Sequence, residues 1–132
     1  MTAANHPAAN HPALDWRDDV IPVSRQFDDP YFSLDDGLAE TRHVFLCGND
    51  LPARFEDGLH IAELGFGTGL NLIATILAWQ ESGTSGQFRF TSFEAFPLIA
   101  SDLAEALAPI PQIEALAVPF VAAWRGGARR FA

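Results

Sequence analysis

The sequence contains no lysine. Its eight basic residues are all arginine and stand against seventeen acidic residues, so the formal net charge is −9 over 132 residues. A broad nucleic-acid-binding face needs charge of the opposite sign, and this composition argues against one. The excess of acidic residues is unevenly distributed. Residues 1–60 carry four arginines and eleven acids, whereas residues 61–132 carry four arginines and six acids. We attribute the exclusive use of arginine to genomic composition.

The sequence also has a single cysteine and no apolar run long enough to span a bilayer. A lone Cys47 excludes a disulfide within the chain, and its place in the apolar run 44–47 predicts a small buried side chain. The amino terminus shows no basic segment followed by an apolar core, so we expect a cytoplasmic protein without a membrane partner. No metal site is expected, because His6 and His11 lack acidic or cysteine neighbours at ligand spacing.

A glycine-rich stretch at 61–74 carries the clearest chemical signal. An apolar run over 59–64 precedes Gly65, Gly67 and Gly69, and apolar residues at helical spacing follow, which predicts strand, tight loop and helix. Such glycines let the chain reverse and let a ligand approach the backbone, while the first helix amides face that ligand. In a dinucleotide fingerprint the third glycine follows the second by three residues, but here it follows by two.

This spacing, with Glu63 two residues before the first glycine, resembles the first motif of class I S-adenosylmethionine-dependent methyltransferases. Glu63 is positioned to meet the cationic methionine end of that cofactor, where a nucleotide diphosphate would be repelled. A glycine-rich turn in another α/β protein is the alternative. The cofactor-binding residues expected in this stretch are Glu63, Gly65, Phe66, Gly67, Thr68, Gly69 and Asn71.

A second acid, Glu94, follows the next predicted strand, residues 88–93. An acid at this end of a βαβ unit can accept hydrogen bonds from ribose hydroxyls, usually about 20 residues beyond the glycines. Here the separation from Gly69 is 25 residues, and the loop 81–86 can absorb the excess. Glu94 therefore joins the predicted cofactor site, with a surface acid after a strand as the alternative.

The rest of the chain is assigned from local pattern. We expect a disordered tail over residues 1–13, which contain a tandem Ala-Ala-Asn-His-Pro repeat, and an appendage over 14–58 with a β-hairpin at 44–55. Residues 59–132 should form the first part of the cofactor-binding α/β domain. Beyond residue 96 we predict a helix starting at Pro97, a short helix over 113–118 that ends before Pro119, and a third strand from residue 128.

An aromatic corner lies in the appendage. Phe27, Tyr31 and Phe32 flank the acids of this segment, among them Asp29. These four residues are candidates for the substrate side, because aromatic side chains can hold a splayed base by stacking. Packing into the core is the alternative, and both interpretations remain open.

Several short motifs between about residues 22 and 107 together resemble one particular family. They are Phe-Asp-Asp-Pro-Tyr-Phe-Ser at 27–33, Asp-Gly-Leu at 36–38, Val-Phe-Leu at 44–46, Glu-Leu-Gly-Phe-Gly-Thr-Gly-Leu-Asn at 63–71 and Ser-Phe-Glu-Ala-Phe-Pro-Leu at 92–98. The set resembles the bacterial tRNA 5-methylaminomethyl-2-thiouridine methyltransferases. This MnmD-type domain also forms the amino-terminal half of the bifunctional MnmC enzymes.

The resemblance implies an incomplete class I, Rossmann-like methyltransferase fold. It also implies methyl transfer from S-adenosylmethionine to the amine of 5-aminomethyl-2-thiouridine at the tRNA wobble position. Family members carry an acceptor acid in an Asp-Gly-Phe-Pro-like segment that this chain lacks, so we expect an amino-terminal fragment that is inactive alone. FAD is expected only if an oxidase domain lies downstream.

Two other functions remain open at this point. A class I methyltransferase acting on a small molecule would suit the net negative charge, and a noncatalytic module could keep the fold without the chemistry. In each case the apolar flank of a half-sheet should be exposed, which would favour aggregation.

Overall fold

The computed structural model describes residues 11–18, 21–27, 29–31 and 36–126. Strands and helices alternate along most of this range, which confirms the α/β class. The first ten residues of the predicted tail and the predicted third strand lie outside the described residues. Residues 11–13 are held in place, since His11 Nδ1 lies 2.7 Å from Pro97 O and Arg25 N donates to Ala13 O at 3.0 Å. The disordered tail over residues 1–13 stays a prediction.

Three short antiparallel strands begin the fold. They are β1 (Leu14–Arg17), β2 (Ile21–Ser24) and β3 (Asp29–Pro30), in the order β1-β2-β3. The central strand β2 is buried along its whole length, and the exposed pair Arg25 and Asp15 joins the ends of the first two strands at 2.7 Å. The appendage thus contains an antiparallel sheet, although not where the sequence pattern predicted one.

Residues 37–49 are helical, so the predicted hairpin over 44–55 is wrong. Helix α1 (Gly37–Thr41) continues into a π-helical turn (Arg42–Leu46) and a 3-10 turn (Cys47–Asn49). Asp36 caps α1 by accepting from Ala39 N at 3.0 Å. In a strand, residues 44 and 46 would share a face, but Val44 is 64% exposed whereas Leu46 is buried. Apolar residues eight apart, Leu38 and Leu46, instead face the core at helical spacing.

The single cysteine lies in the 3-10 turn and is exposed. The expectation that Cys47 is a buried small side chain is therefore wrong. The strand prediction for 44–47 placed it in the core, and the helical turn rotates it to the surface.

A βαβ unit follows and has the predicted order. Strand β4 (His60–Leu64) and strand β5 (Arg89–Phe93) pair in parallel, and helix α2 (Leu70–Ser82) connects them. Gly83, in the left-handed region at φ 69°, ends α2. The ladder continues past the strands, because Gly65 N donates to Phe93 O at 2.7 Å. The glycine loop therefore begins at the carboxyl end of a parallel strand.

Two further helices follow and pack against each other, and both differ from their predicted bounds. Helix α3 (Ala100–Leu107) starts three residues after Pro97, because Ile99 has extended backbone angles. Helix α4 (Glu114–Arg125) follows a 3-10 turn (Pro111–Ile113) and runs through Pro119. Proline leaves the carbonyl four residues earlier without its helical donor, but Ala115 and Pro119 lie on the exposed side of α4.

Most of the buried apolar residues that the structure describes form one cluster, to which each of the helices α1 to α4 contributes. The division at residue 58 stays a prediction, but residues on both of its sides contribute to this cluster. Among the described residues no single helix is long and apolar enough to cross a bilayer; α3 and the 111–125 segment reach that length and composition only together, bent by 119°. The most buried members, each no more than 1% exposed, are Ile73, Ala74, Leu98, Leu103, Leu107 and Ile113.

One face of the parallel sheet is uncovered. Leu64 and Phe93 lie opposite each other in the ladder and are 88% and 62% exposed. Parallel sheets in α/β proteins are normally covered on both faces. The predicted exposure of an apolar sheet flank is therefore confirmed, whereas its effect on aggregation is a prediction.

Replacing Leu64 and Phe93 together with threonine should reduce concentration-dependent self-association, because it removes adjacent apolar side chains from solvent contact. The free energy of unfolding should change by no more than about 0.5 kcal/mol, as is usual for exposed positions. Light scattering after size-exclusion chromatography measures the association. Val44→Thr, which alters one isolated exposed side chain, is the control. Equal association of the double variant and the parent would contradict the role of this face.

Candidate functional site

The three glycines of the loop all adopt backbone angles that L side chains rarely adopt. Gly65, Gly67 and Gly69 have φ of 85°, 55° and 78°. Gly69 is the N-cap residue of α2. It has no side chain, so it offers no hydrogen-bond acceptor to the first amides of the helix. The predicted tight turn into a helix amino terminus is present at the predicted residues.

Space around the loop differs from one glycine to the next. A Cβ on Gly65 would meet no atom within 4 Å, so this position faces open space. A Cβ on Gly67 would lie 3.2 Å from Cδ1 of Tyr31, which covers the loop from the antiparallel sheet. The backbone of Gly67 is thus closely approached by Tyr31, and the free room lies beside Gly65.

The carboxylate of Glu94 is tied to the loop by two backbone hydrogen bonds. Gly67 N donates to Oε2 at 3.0 Å, and Phe96 N donates to Oε1 at 2.9 Å. Each carboxylate oxygen can accept a further bond, so both retain capacity for a ligand donor. The structure therefore brings Glu94 to the glycine loop, as the strand-end position predicted.

Glu63 lies behind the loop, where it is 8% exposed. Asn71 Nδ2 donates to its Oε2 at 3.1 Å, while Glu63 Oε1 is buried without a hydrogen-bond partner among the described residues, as is Ser92 Oγ. Ser92 is the ladder partner of Glu63. Burial raises the pKa of Glu63, the side chains of Asn71 and then Ser92 oppose the rise, and the charge of Glu94 adds to it. The raised pKa of Glu63 therefore reflects mainly its burial.

A cavity of about 400 Å³ lies between the antiparallel sheet and the glycine loop, a size usual for small-molecule sites. Its lining combines residues of the glycine loop, the acid Glu94 and four aromatic residues. Glu63 does not line it, but Asn71 does. The lining residues are Pro12, Ser24, Phe27, Pro30, Tyr31, Thr41, Gly65, Phe66, Gly67, Thr68, Leu70, Asn71, Glu94 and Phe96.

The substrate-side candidates are only partly placed. Phe27 and Tyr31 both line the cavity, and Phe27 lies 6.1 Å from Phe96, a tilted ring pair. The position of Phe32 and the side chain of Asp29 lie outside the described residues. Burial raises the pKa of Tyr31, and the charges of Glu94 and then Asp102 raise it further.

Helix α4 supports the loop from behind, a contact that the sequence did not predict. The Phe66 ring stacks on Trp124 at 5.3 Å with 6° between the planes, and it lies 6.0 Å from Phe120. Trp124 Nε1 donates to Leu98 O at 3.0 Å, which fixes the indole. Phe66 therefore combines a place in the cavity lining with a structural role. The Trp124 contact spans 58 residues of sequence, so no local pattern indicates it.

Phe96 is a second site residue that was not predicted. Its ring lines the cavity and its amide bonds Glu94. A signal was present, because Phe96 belongs to the motif at 92–98 that contributed to the family resemblance.

The charge of the lining is one-sided. None of the described lining residues is basic, and Glu94 carries a carboxylate. Such a cavity suits a neutral or cationic ligand better than a phosphate. No group of three potential metal ligands occurs within the part of the chain that the structure describes.

Comparison with known proteins gives one consistent relationship. The chain is 46% identical to the tRNA 5-methylaminomethyl-2-thiouridine biosynthesis bifunctional protein MnmC of Aeromonas hydrophila over 87% of its own length and 18% of that protein. The MnmC of Caulobacter vibrioides is 44% identical over 95% of the chain and 22% of the relative. The MnmC of Leptospira borgpetersenii is 41% identical over 85% of the chain and 18% of that protein.

The chain thus spans about one fifth of the length of the curated relatives it matches. No protein-family model matches it. The similarity covers the glycine loop and both strands of the βαβ unit, because it extends over at least 85% of the 132 residues. The chain therefore belongs to the MnmC family.

Proposed function

We propose that this chain forms the S-adenosylmethionine-binding part of a tRNA-modifying methyltransferase with a class I, Rossmann-like fold. The reaction would be methyl transfer to the amine of 5-aminomethyl-2-thiouridine at the wobble position. A tRNA substrate would place the enzyme in the cytoplasm. The names of the relatives support a role in this biosynthesis and describe bifunctional proteins. An FAD-dependent oxidase activity would belong to a further domain.

One observation carries the proposal. A loop of three left-handed glycines leaves a parallel strand and enters a helix, and the acid after the next strand bonds the loop amide of Gly67. The two-residue glycine spacing differs from that of a dinucleotide fingerprint, and the cavity lining offers no basic group for a diphosphate among the described residues. Together these features support a nucleoside ligand that carries positive charge.

The residues present fit this cofactor. The position of a Cβ on Gly65 is open, which leaves room for close approach to the backbone. Glu94 would accept from ribose hydroxyls, and the acidic surroundings would favour the positively charged methionine end. When bound, S-adenosylmethionine supplies an electrophilic methyl group on sulfur. The chain's own contribution would be to bind and orient this group.

A class I methyltransferase with a small-molecule substrate is the second candidate. The net charge of −9 favours it, because tRNA carries a dense negative charge. The relatives favour the tRNA substrate. Transfer of labelled methyl by a complete homologue to undermodified tRNA, compared with transfer to the free aminomethyl nucleoside, separates the two. Equal rates on both substrates would favour the small molecule.

The proposed cofactor is tested by calorimetric titration of the 132-residue chain with S-adenosylmethionine, together with a Gly67→Leu variant. We expect binding by the parent and none by the variant, because a side chain at φ 55° is strained and would collide with Tyr31. Gly48→Leu is the matched control, since Gly48 has no atom near its Cβ position and no positive φ. A parent chain that does not bind, or a variant that binds normally, would refute the proposal.

Replacing Glu94 with glutamine should weaken S-adenosylmethionine binding by about 1–3 kcal/mol, through loss of charge-assisted hydrogen bonds to the ribose and to Gly67 N. The dissociation constant from calorimetry measures the effect. Glu105→Gln, an exposed acid on α3, should leave affinity within about twofold of the parent, since surface charges contribute little. Unchanged affinity in Glu94→Gln would contradict the ribose assignment.

Glu63 should make the free energy of unfolding depend on pH. Its folded-state pKa is raised by burial, so the folded chain binds more protons than the unfolded chain between the ordinary and the raised pKa. Stability should therefore fall as pH rises through that window. Denaturant unfolding of the parent and Glu63→Gln across this range measures the difference, and the variant should lack this fall.

A cationic ligand would favour the ionised carboxyl, so saturating S-adenosylmethionine should diminish the fall in the parent. Glu105→Gln, at an exposed position on α3, is the control. Identical pH profiles for the parent and Glu63→Gln would show that Glu63 does not titrate with a raised pKa.

A further inference from the structure

The acid that the sequence placed against the ligand is separated from the cavity by another residue. Glu63 is 8% exposed and does not line the cavity, whereas Asn71, in the first turn of α2, does. The two side chains are joined by the bond from Asn71 Nδ2 to Glu63 Oε2 at 3.1 Å. A ligand in the cavity therefore reaches Asn71 before it reaches Glu63.

The carboxylate determines which end of the Asn71 amide faces it. An ionised carboxylate only accepts hydrogen bonds, so the amide must present its Nδ2 and not its oxygen to Glu63. The oxygen, Oδ1, is the end that remains. Among the described residues no hydrogen bond to Oδ1 is formed, and Oδ1 is not one of the buried unpaired atoms. A residue that lines the cavity therefore keeps an unpaired acceptor oxygen among the described residues.

An acceptor at this place has a definite chemical preference. The lining offers the carboxylate of Glu94 and the oxygen of Asn71, and no basic residue among those described. A ligand group with several N–H donors and a positive charge, such as an ammonium, matches both. Glu63 does not line the cavity and is joined to it through the Asn71 amide.

We propose that Asn71 Oδ1 accepts a hydrogen bond from the ammonium group at the methionine end of the cofactor, and that Glu63 is a positioning residue that fixes the Asn71 amide in this orientation. The inference rests on the proposed function, from which it takes the cofactor. It differs from the sequence-based expectation, in which Glu63 meets the ligand itself.

A double-mutant cycle tests it with two probes, S-adenosylhomocysteine, which carries the ammonium group, and 5′-methylthioadenosine, which lacks the amino-acid end. Asn71→Ala and Glu63→Ala should each weaken binding of the first probe by about ten- to hundredfold and of the second by less than about twofold. The double variant should be no weaker than Asn71→Ala, because Glu63 acts only through that side chain.

The outcomes separate this inference from the proposed function. If the parent binds neither S-adenosylmethionine nor the two probes, the proposed function fails and the inference fails with it. If the parent binds but the ratio of the two affinities is unchanged in Asn71→Ala, only the inference fails. If the losses multiply in the double variant, Glu63 contacts the ligand directly and its positioning role is overturned.

A measurement on the ligand-free chain covers the case in which a variant does not fold. In nitrogen-15 NMR spectra, the side-chain amide of Asn71 should shift as Glu63 titrates, with Glu94 the other acid acting on Glu63. Asn49 is the matched control, because its amide donates to the neutral carbonyl of Phe45 at 2.7 Å. If both amides show the same pH dependence, Glu63 does not orient the Asn71 amide and the inference is overturned.

Discussion

The carboxylate of Glu94 joins the two segments on which the site depends. It accepts from Gly67 on the loop after β4 and from Phe96 on the chain after β5. These segments leave neighbouring parallel strands at the same edge of the sheet, so one acid can bridge them. The same carboxylate also lines the cavity. The group that orders the loop is therefore also available to a ligand.

The rest of the fold supports this bridge from both sides. Tyr31 covers Gly67 from the antiparallel sheet, and Phe66 is stacked on Trp124 of α4 behind the loop. A loop of glycines has high conformational entropy when unfolded and few side chains with which to offset it. Packing contributed by distant elements compensates for this deficit. The cavity is bounded by residues of the antiparallel sheet on one side and by the start of α2 on the other.

Local pattern predicted the βαβ unit and failed where a pattern was ambiguous. Residues 59–94 show apolar residues at strand spacing, then glycines, then apolar residues at helical spacing. The strands, the loop and the helix predicted from these patterns are all present in the structure. The apolar run at Val44 fits a strand or a helix, and only burial of Leu46 with exposure of Val44 decides for a helix. The separation of Glu63 from the cavity could not be predicted, because it depends on how α2 places Asn71 across the end of β4.

Charge sets the final constraint on function. An acidic cavity suits a sulfonium or ammonium ligand, but the same sign over the chain opposes a polyanion such as tRNA. On the proposed function, the cofactor and the nucleic acid must therefore be held by different surfaces. The matched residues cover about one fifth of the relatives, so most of an MnmC protein is available to supply basic side chains. The described residues would then orient the methyl donor, while affinity for tRNA would arise mainly outside them.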